Sequence, residues 1–178
     1  AAQYPDRDKV LRYTYKAMIT RGCPHHCAYC GAAHNHVLYK GERVLRRRSV
    51  DNMMAEMEEV LGRYPFYEMF HMQDDVFFAA PTKEIQLFGS EYAERIGMPI
   101  RAQMSPTVIN DRKFKAMIDA GLCFTELGLQ TGNANTMALY NRGMSNEHLL
   151  RATEIITKYR DYLNTPDYHV ILDCPWET

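Results

Sequence analysis

Apolar, strand-like segments alternate with helix-like segments along the 178 residues of this chain, and no other feature restricts its fold as much. Such alternation is typical of parallel βα units, in which crossover helices cover the sheet that the strands build. The segments that we predict as strands span residues 13–20, 67–73, 100–104, 124–129 and 168–172. Because such crossovers are right-handed, about five units curl into a partial (β/α) barrel, so we predict an α/β fold.

The helices between these strands carry start and stop signals. Ser49 can accept a hydrogen bond as an N-cap, and Asp51 follows in the first turn. Pro81 suits the first turn of a helix, and Gly121 can end one. We predict helices over residues 50–62, 81–96, 111–120, 135–141 and 146–162, the first with an apolar stripe of Met53, Met54, Met57, Val60 and Leu61.

The composition fits one globular domain with an ordinary core. Hydrophobic residues make up 46% of the chain and charged residues 24%, and the formal net charge is −1. This near-neutral balance implies no general attraction to nucleic acid or to an anionic membrane, and no apolar run is long enough to span a bilayer. No signal peptide opens the chain, so we expect a cytoplasmic protein.

The two ends of the chain suggest a piece of a longer protein. The chain has no initiator Met, and it stops at Pro175-Trp176-Glu177-Thr178, directly after the last strand-like segment. We expect a leader over residues 1–12 and a single barrel domain over residues 13–178, whose C-terminal part is missing.

Unusual polar clusters follow the predicted strands at the points where they end. They are a cysteine-rich loop after the first strand, then Gln73-Asp74-Asp75, Ser105, Gln130-Thr131 and Asp173-Cys174. In barrels of parallel strands, the chemistry lies at the carboxyl ends of the strands. The shared position of these clusters therefore predicts one functional site at that edge of the sheet.

Three of the five cysteines, Cys23, Cys27 and Cys30, are spaced as C-x3-C-x2-C. Bunched cysteines favour a metal site in a reducing compartment over a disulfide framework. Three thiolates can hold three irons of a four-iron, four-sulfur (4Fe-4S) cluster, which normally takes four protein ligands, so one iron would be open to another molecule. The alternative is a structural zinc ion held by the same thiolates and by His34 or His36.

The cysteine loop resembles the signature of the radical S-adenosylmethionine (radical SAM) superfamily, including the aromatic Tyr29 before the last cysteine. Three segments resemble the subgroup that often carries an N-terminal cobalamin-binding domain, namely Arg21-Gly22-Cys23-Pro24, Arg48-Ser49 and Asp74-Asp75-x-Phe77. The resemblance covers nearly the whole chain and implies a TIM-like radical SAM barrel, of which this chain holds a part. It also implies a 4Fe-4S cluster on the three cysteines, with SAM bound at the open iron.

The resemblance further implies an enzyme. In that family, one electron from the reduced cluster cleaves SAM to a 5′-deoxyadenosyl radical, which takes a hydrogen atom from an unactivated carbon of the substrate. A reductant such as flavodoxin or ferredoxin is then an expected partner. For this subgroup, a cobalamin-binding domain upstream in the parent protein and cobalamin-dependent methylation are further options. The substrate, a small molecule or another molecule, is not specified by the sequence.

The SAM contacts of the family carry over onto matching positions. Gln130, in the segment Glu126-Leu127-Gly128-Leu129-Gln130-Thr131-Gly132, corresponds to the residue that reaches the ribose hydroxyls. Arg142 matches an arginine that pairs with the SAM carboxylate. Where the family often has Gly-Gly-Glu to hold the SAM amino group, this chain offers Asp74 or Asp75. With Tyr29, these residues form the predicted cofactor-binding set.

Several other interpretations stay open. A tRNA methylthiotransferase-like enzyme would need a second cluster and an RNA-binding appendage, and a non-enzymatic zinc-binding module would use the same cysteines. Arg43 and the run Arg46-Arg47-Arg48 can meet a phosphate group or form a solvated face. We interpret His25 and His26 as solvated loop residues, Cys123 as a core residue, and Cys174 as a packing residue or a thiol near the substrate.

Overall fold

The computed structural model describes residues 13–176, so the expected leader over residues 1–12 and the last two residues, Glu177 and Thr178, lie outside the described residues. The strands in chain order are β1 (Thr14–Ala17), β2 (Thr20–Arg21), β3 (Arg46–Arg47), β4 (Met69–Met72), β5 (Ile100–Met104), β6 (Leu122–Gln130) and β7 (Asp167–Val170). The helices are α1 (Gly31–Leu38), α2 (Val50–Arg63), α3 (Thr82–Arg95), α4 (Asp111–Asp119), α5 (Ala134–Leu139) and α6 (Asn146–Lys158). Short 3₁₀ turns cover Phe77–Ala79 and Arg160–Tyr162.

Five of the strands form one parallel sheet in the order β1-β4-β5-β6-β7. Its pairing runs from Thr14 beside Met69 at one edge to Gln130 beside Val170 at the other. β2 and β3 form a separate antiparallel pair. A sheet in which each new strand is added beside the previous one, with helices between them, winds as a barrel does. The predicted partial barrel of five βα units is therefore confirmed.

Helix α2 illustrates how the sequence forms a helix and attaches it to the sheet. The Ser49 hydroxyl accepts a hydrogen bond from the backbone N–H of Asn52 at 3.2 Å, as predicted for an N-cap. Met53, Met54 and Met57 of the predicted stripe are fully buried, and burying each such side chain contributes about 1.5–3 kcal/mol. With 14 residues, α2 and α3 are the longest helices described, and no helix within residues 13–176 is long and apolar enough to cross a membrane.

The hydrophobic core joins the sheet to the helices that cover it. Its largest fully buried side chains include Phe70, Phe77, Phe88, Tyr92 and Phe114. Their rings meet mainly edge to face, for example Phe77 and Phe88 with centroids 5.2 Å apart. Such close packing gives each strand a fixed place, and this fixes the loops at the carboxyl ends of the strands as well.

The first strand is shorter than predicted. The sequence predicts one strand over residues 13–20, but β1 covers only part of it, and Thr20 pairs with Arg47 in the antiparallel β2–β3 pair. The reason is the buried carboxylate of Asp74, which accepts hydrogen bonds from the backbone N–H groups of Ile19 and Thr20. These bonds replace the pairing that a longer β1 would make in the parallel sheet.

The sequence did not predict helix α1, because this helix buries no side chain and so lacks the apolar stripe by which helices are recognised. The helix predicted over residues 146–162 ends at Lys158, and a 3₁₀ turn follows. The last strand, predicted over residues 168–172, is Asp167–Val170. The other predicted boundaries agree within about two residues, the usual uncertainty of helix and strand ends.

Candidate functional site

A cavity of about 170 Å³ opens at the carboxyl ends of the strands. The cysteine loop forms one wall, and the ends of β5, β6 and β7 contribute the other. All predicted site residues except Asp74 line it, namely Cys23, Cys27, Tyr29, Cys30, Asp75, Gln130 and Arg142. The structure thus brings together side chains that are more than 100 positions apart in the sequence.

The three cysteines are free thiols at different depths. Cys23 is buried, whereas Cys27 and Cys30 are half-buried and belong to one tight turn, in which Cys30 N–H donates to the Cys27 carbonyl at 3.1 Å. Burial raises the pKa of the Cys23 thiol to about 11, so binding a metal at this sulfur must displace a proton. The backbone N–H of His25 donates to Cys23 Sγ at 3.5 Å, and this hydrogen bond offsets part of the rise in the pKa of Cys23 that burial causes.

The spacing of the thiols bears on the kind of metal centre. Within residues 13–176, no three His, Cys, Asp or Glu side chains converge closely enough to hold a single metal ion. A 4Fe-4S cluster differs from a zinc ion here, because each thiolate binds a different iron at a separate corner. His36, a candidate zinc ligand, instead places its Nε2 atom 2.8 Å from the Cys23 carbonyl oxygen. The Nε2 atom of His36 is therefore already engaged by the backbone of the cysteine loop.

The two adjacent acids, Asp74 and Asp75, point to different places. Asp74 is completely buried, and its carboxylate accepts from Thr20 N–H at 2.5 Å and from Ile19 N–H at 3.4 Å. Burial raises the pKa of Asp74 to about 6, against the lowering effect of these bonds. Asp74 therefore fixes the backbone that leads from β1 into the cysteine loop, while Asp75 lines the cavity.

Arg142 joins the cysteine loop to the end of β6. Its side chain is buried, with 7% exposed, and Nη1 donates to the Tyr29 hydroxyl at 2.6 Å. Nη2 donates to the backbone carbonyl of Gly128. The third nitrogen, Nε, is buried without a hydrogen-bond partner among the described residues. A buried donor of this kind is costly unless a bound molecule accepts from it.

Gln130 lies at a register shift in the sheet. Its φ angle is 69°, in the left-handed region, and the pairing of β6 with β7 shifts between Gly128 and Gln130. Gly128 leaves room for this arrangement, because a Cβ atom there would lie 2.9 Å from Gln130 Nε2 and 3.2 Å from an Arg142 nitrogen. The Gln130 amide thus lies beside the Arg142 guanidinium in the cavity wall.

Sequence reasoning missed a charged network centred on Glu126. Its Oε1 atom lies 2.5 Å from Arg101 Nε and 3.3 Å from His71 Nε2, and Oε2 lies 3.6 Å from His169 Nε2. His71 and Arg101 hold the pKa of Glu126 at about 2, despite burial. Glu126 and His169 both line the cavity. The only sequence signal was the alternation of polar and apolar residues in β5.

The remaining predicted residues occupy varied positions. His25 differs from the solvated interpretation, because it is half-buried, lines the cavity, and has an unpartnered, buried Nε2 atom among the described residues. His26 is exposed and packs against His36, with ring centroids 4.1 Å apart. Cys123 is buried with Met69 and Phe124, which confirms a core role. Cys174 is partly buried and does not line the cavity.

This fold and this cysteine-lined cavity define the class of the protein. The sequence model of the Radical SAM superfamily matches residues 18–172, and the chain belongs to that superfamily. Comparison with curated protein sequences gave no match.

Solved structures of longer proteins share the fold. The cobalamin-dependent S-adenosylmethionine radical enzyme OxsB, with aqua-cobalamin bound, matches 87% of this chain with a TM-score of 0.68 at 14% identity. The radical S-adenosylmethionine methyltransferase TsrM from Kitasatospora setae, with cobalamin and a 4Fe-4S cluster bound, matches 87% with a TM-score of 0.69 at 12% identity. Coproporphyrinogen III oxidase (HemN) from Escherichia coli, a radical SAM enzyme, matches 92% with a TM-score of 0.58 at 16% identity.

At these identities, the likeness concerns the fold alone. The chain spans 23% of the OxsB chain, 30% of the TsrM chain and 39% of the HemN chain. It therefore corresponds to less than half of the length of each of these chains.

Proposed function

We propose that this chain is the core of a radical SAM enzyme that binds a 4Fe-4S cluster through Cys23, Cys27 and Cys30. The observation that carries the proposal is the shared cavity, in which three free thiols face a buried guanidinium and an amide. When bound, the cluster and SAM supply the reductive cleavage of SAM to a 5′-deoxyadenosyl radical, for chemistry on an unactivated carbon. The three thiolates would hold three of the four irons, so one iron would be open to SAM.

The residues around the thiols can orient the polar groups of SAM. The Arg142 guanidinium can pair with the carboxylate, and its free Nε atom supplies the donor. Asp75 can accept from the ammonium group, since Asp74 is occupied by the backbone. The Gln130 amide can both donate to and accept from ribose hydroxyls. Tyr29 keeps Arg142 in place through its hydroxyl group.

We further propose that the parent protein is cobalamin-dependent and acts as a methyltransferase or in a related reaction. The support is the similarity in fold to OxsB and TsrM, both solved with cobalamin bound. The cobalamin would be held by a domain that this chain does not include. The reductant would be flavodoxin or ferredoxin, and the protein would act in the cytoplasm.

The experiment is anaerobic reconstitution with iron and sulfide, followed by metal analysis and electron paramagnetic resonance (EPR) with and without SAM. We expect a brown protein containing iron and sulfide whose EPR signal changes when SAM is added. Cys27→Ala should lose both the colour and the cleavage of SAM. Cys123→Ala is the matched control and should keep both, because Cys123 is buried away from the cavity.

Two results would contradict the proposed function. One zinc and no iron in the purified protein would identify the zinc-binding module instead. Full retention of SAM cleavage by Cys27→Ala would contradict the assignment of the cluster ligands.

A further inference from the structure

A second groove, of about 670 Å³, lies on another side of the cysteine loop. The β2–β3 pair and helix α1 form its walls, and its lining includes Arg21, Asn35, Tyr39, Arg43 and Arg46. None of its lining residues lines the cavity that holds the three thiols. A molecule in this groove would therefore leave the proposed SAM site free.

The groove concentrates positive charge in an unusual way. Arg21 and Arg46 stand directly opposite each other in the antiparallel β2–β3 pair. Like charges in this position repel each other, so the pairing is unfavourable unless something negative binds there. Arg43 adds a third guanidinium, and Glu42 is the single acidic residue among the described residues of the lining.

The neighbouring arginines outside the groove differ from those inside it, because they form ion pairs with carboxylates. Arg47 forms an ion pair with Glu84 at 2.7 Å, and Arg48 forms one with Glu56 at 2.6 Å. By contrast, the three arginines of the groove have no carboxylate within ion-pair distance in the described part of the chain. The arginines of this region are thus divided into two with a carboxylate partner, Arg47 and Arg48, and three without one among the described residues, of which Arg43 donates to the backbone carbonyl of Leu45 at 3.1 Å.

An apolar patch lies beside the groove, at the C-terminal end of α1, and Tyr39 of this patch also lines the groove. Val37, Leu38 and Tyr39 are 69%, 65% and 58% exposed. Helix α1 buries none of its side chains, although it lies next to the proposed cluster. Exposed apolar side chains beside charged ones are typical of a protein–protein interface. The combination of positive charge and apolar surface fits an acidic protein better than a small phosphate ligand.

The groove is also physically close to the cysteines. Arg21 precedes Cys23 by two residues, which limits their Cα atoms to about 7 Å apart. Asn35 lines the groove, and the next residue, His36, contacts the Cys23 carbonyl at 2.8 Å. Helix α1 itself starts directly after Cys30. The groove and the cysteine loop therefore share a wall.

We propose that the arginine groove and the apolar end of α1 form the docking surface for a small acidic electron-carrier protein that reduces the cluster. This inference rests on the proposed function, which requires one electron per SAM cleaved. In the docked complex, one electron passes from the reduced cofactor of the carrier to the oxidised cluster, and no bond forms or breaks in that step. Opposite charges guide the two proteins together, and the apolar side chains of α1 are covered in the complex.

The test compares two reductants on the full-length protein with its cluster reconstituted. The initial rate of 5′-deoxyadenosine formation is measured with limiting reduced flavodoxin, and separately with dithionite, which is small and needs no docking surface. The variant is the double charge reversal Arg43→Glu with Arg46→Glu. The matched control is Arg151→Glu, an exposed arginine on α6 that does not line the groove.

We expect the double variant to be at least about tenfold slower with flavodoxin at low ionic strength and unchanged with dithionite. Raising the salt concentration should slow the wild type towards the variant, because screening shortens the reach of the charges. The Arg151→Glu control should match the wild type with both reductants.

Equal flavodoxin rates for the wild type and the double variant would overturn the docking proposal. So would an equal loss with dithionite, because the arginines would then act on the cluster rather than on the carrier. A wild-type protein without cluster absorbance would overturn the proposed function and the docking proposal with it. That failure is recognised before any reductant is added.

Discussion

Adding a single methyl group at Gly128 should separate binding of SAM from folding. In Gly128→Ala, the new Cβ atom would lie 2.9 Å from Gln130 Nε2 and 3.2 Å from an Arg142 nitrogen, where ordinary contact begins near 3.4 Å. The Gln130 amide must therefore retreat by about 0.5 Å, and the Arg142 guanidinium by less. In catalysis, a misplacement of about 1 Å can cost a factor of about 100 in rate, and we expect the hydrogen bonds that hold SAM to be sensitive to position as well. We expect SAM to bind about tenfold more weakly, which is about 1.4 kcal/mol.

The same substitution should hardly change the stability of the fold. Both displaced atoms are the ends of side chains rather than backbone atoms, and the φ angle of Gly128 is outside the left-handed region. Replacing glycine by alanine also restricts the unfolded chain, which favours folding by about 0.4–1 kcal/mol. The free energy of unfolding should therefore stay within about 1 kcal/mol of the wild-type value.

Two measurements on the reconstituted protein test whether Gly128→Ala weakens SAM binding without destabilising the fold. The dissociation constant of SAM is obtained from the change in the EPR signal of the cluster, and stability from urea unfolding. Gly132→Ala is the matched control, because a Cβ atom there meets nothing within 4 Å. SAM binding by Gly128→Ala as tight as by the wild type would refute the hypothesis that Gln130 and Arg142 beside Gly128 bind SAM. Equal weakening by Gly132→Ala would refute it as well.

Two further predictions concern neighbouring residues. Arg142→Lys keeps one charge but cannot reach Tyr29 and Gly128 together, so SAM binding should weaken about tenfold while the iron content stays normal; loss of iron in this variant would contradict the assignment. The second prediction concerns the pH dependence of stability through Asp74. Burial raises the pKa of Asp74 from 3.8 to about 6, so its contribution to stability is full below pH 4 and is lost as the pH rises through 6. This loss is about 3 kcal/mol, and Asp74→Asn should lack it in urea unfolding of the metal-free protein; a pH-independent difference between the two proteins would refute it.

The succession of parallel βα units could be predicted because its signals are local. Each apolar run and each capped, amphipathic helix is contained in about 5–15 neighbouring residues, and the alternation of such elements restricts the topology to parallel units. The Ser49 cap and the Met53 stripe were found in this way and are confirmed. The cysteine spacing is local as well, and so the superfamily could be recognised from Cys23, Cys27 and Cys30.

Features without a local signal were missed. Helix α1 has no apolar stripe to reveal it, because all its side chains are left at least partly exposed. The division of the arginine run depends on whether a carboxylate from another element is near, as Glu84 is for Arg47. Nothing in the run itself distinguishes Arg46 from Arg47.

The sequence by itself determined the strands and covering helices of the parallel sheet, and that polar residues follow those strands at one edge; helix α1 and the β2–β3 pair had no such signal. Only the tertiary structure decided which of those polar residues line the cavity and which hold the backbone or form ion pairs. Asp74 and Asp75 are adjacent and chemically identical. Yet the Asp74 carboxylate accepts a hydrogen bond from the backbone N–H of Thr20, 54 residues away in the sequence, whereas Asp75 lines the cavity. The charge network of Glu126 likewise needs three other strands to bring Arg101, His71 and His169 together. The physical reason is that hydrogen bonds and ion pairs depend on distance in space, which only packing of the whole barrel establishes.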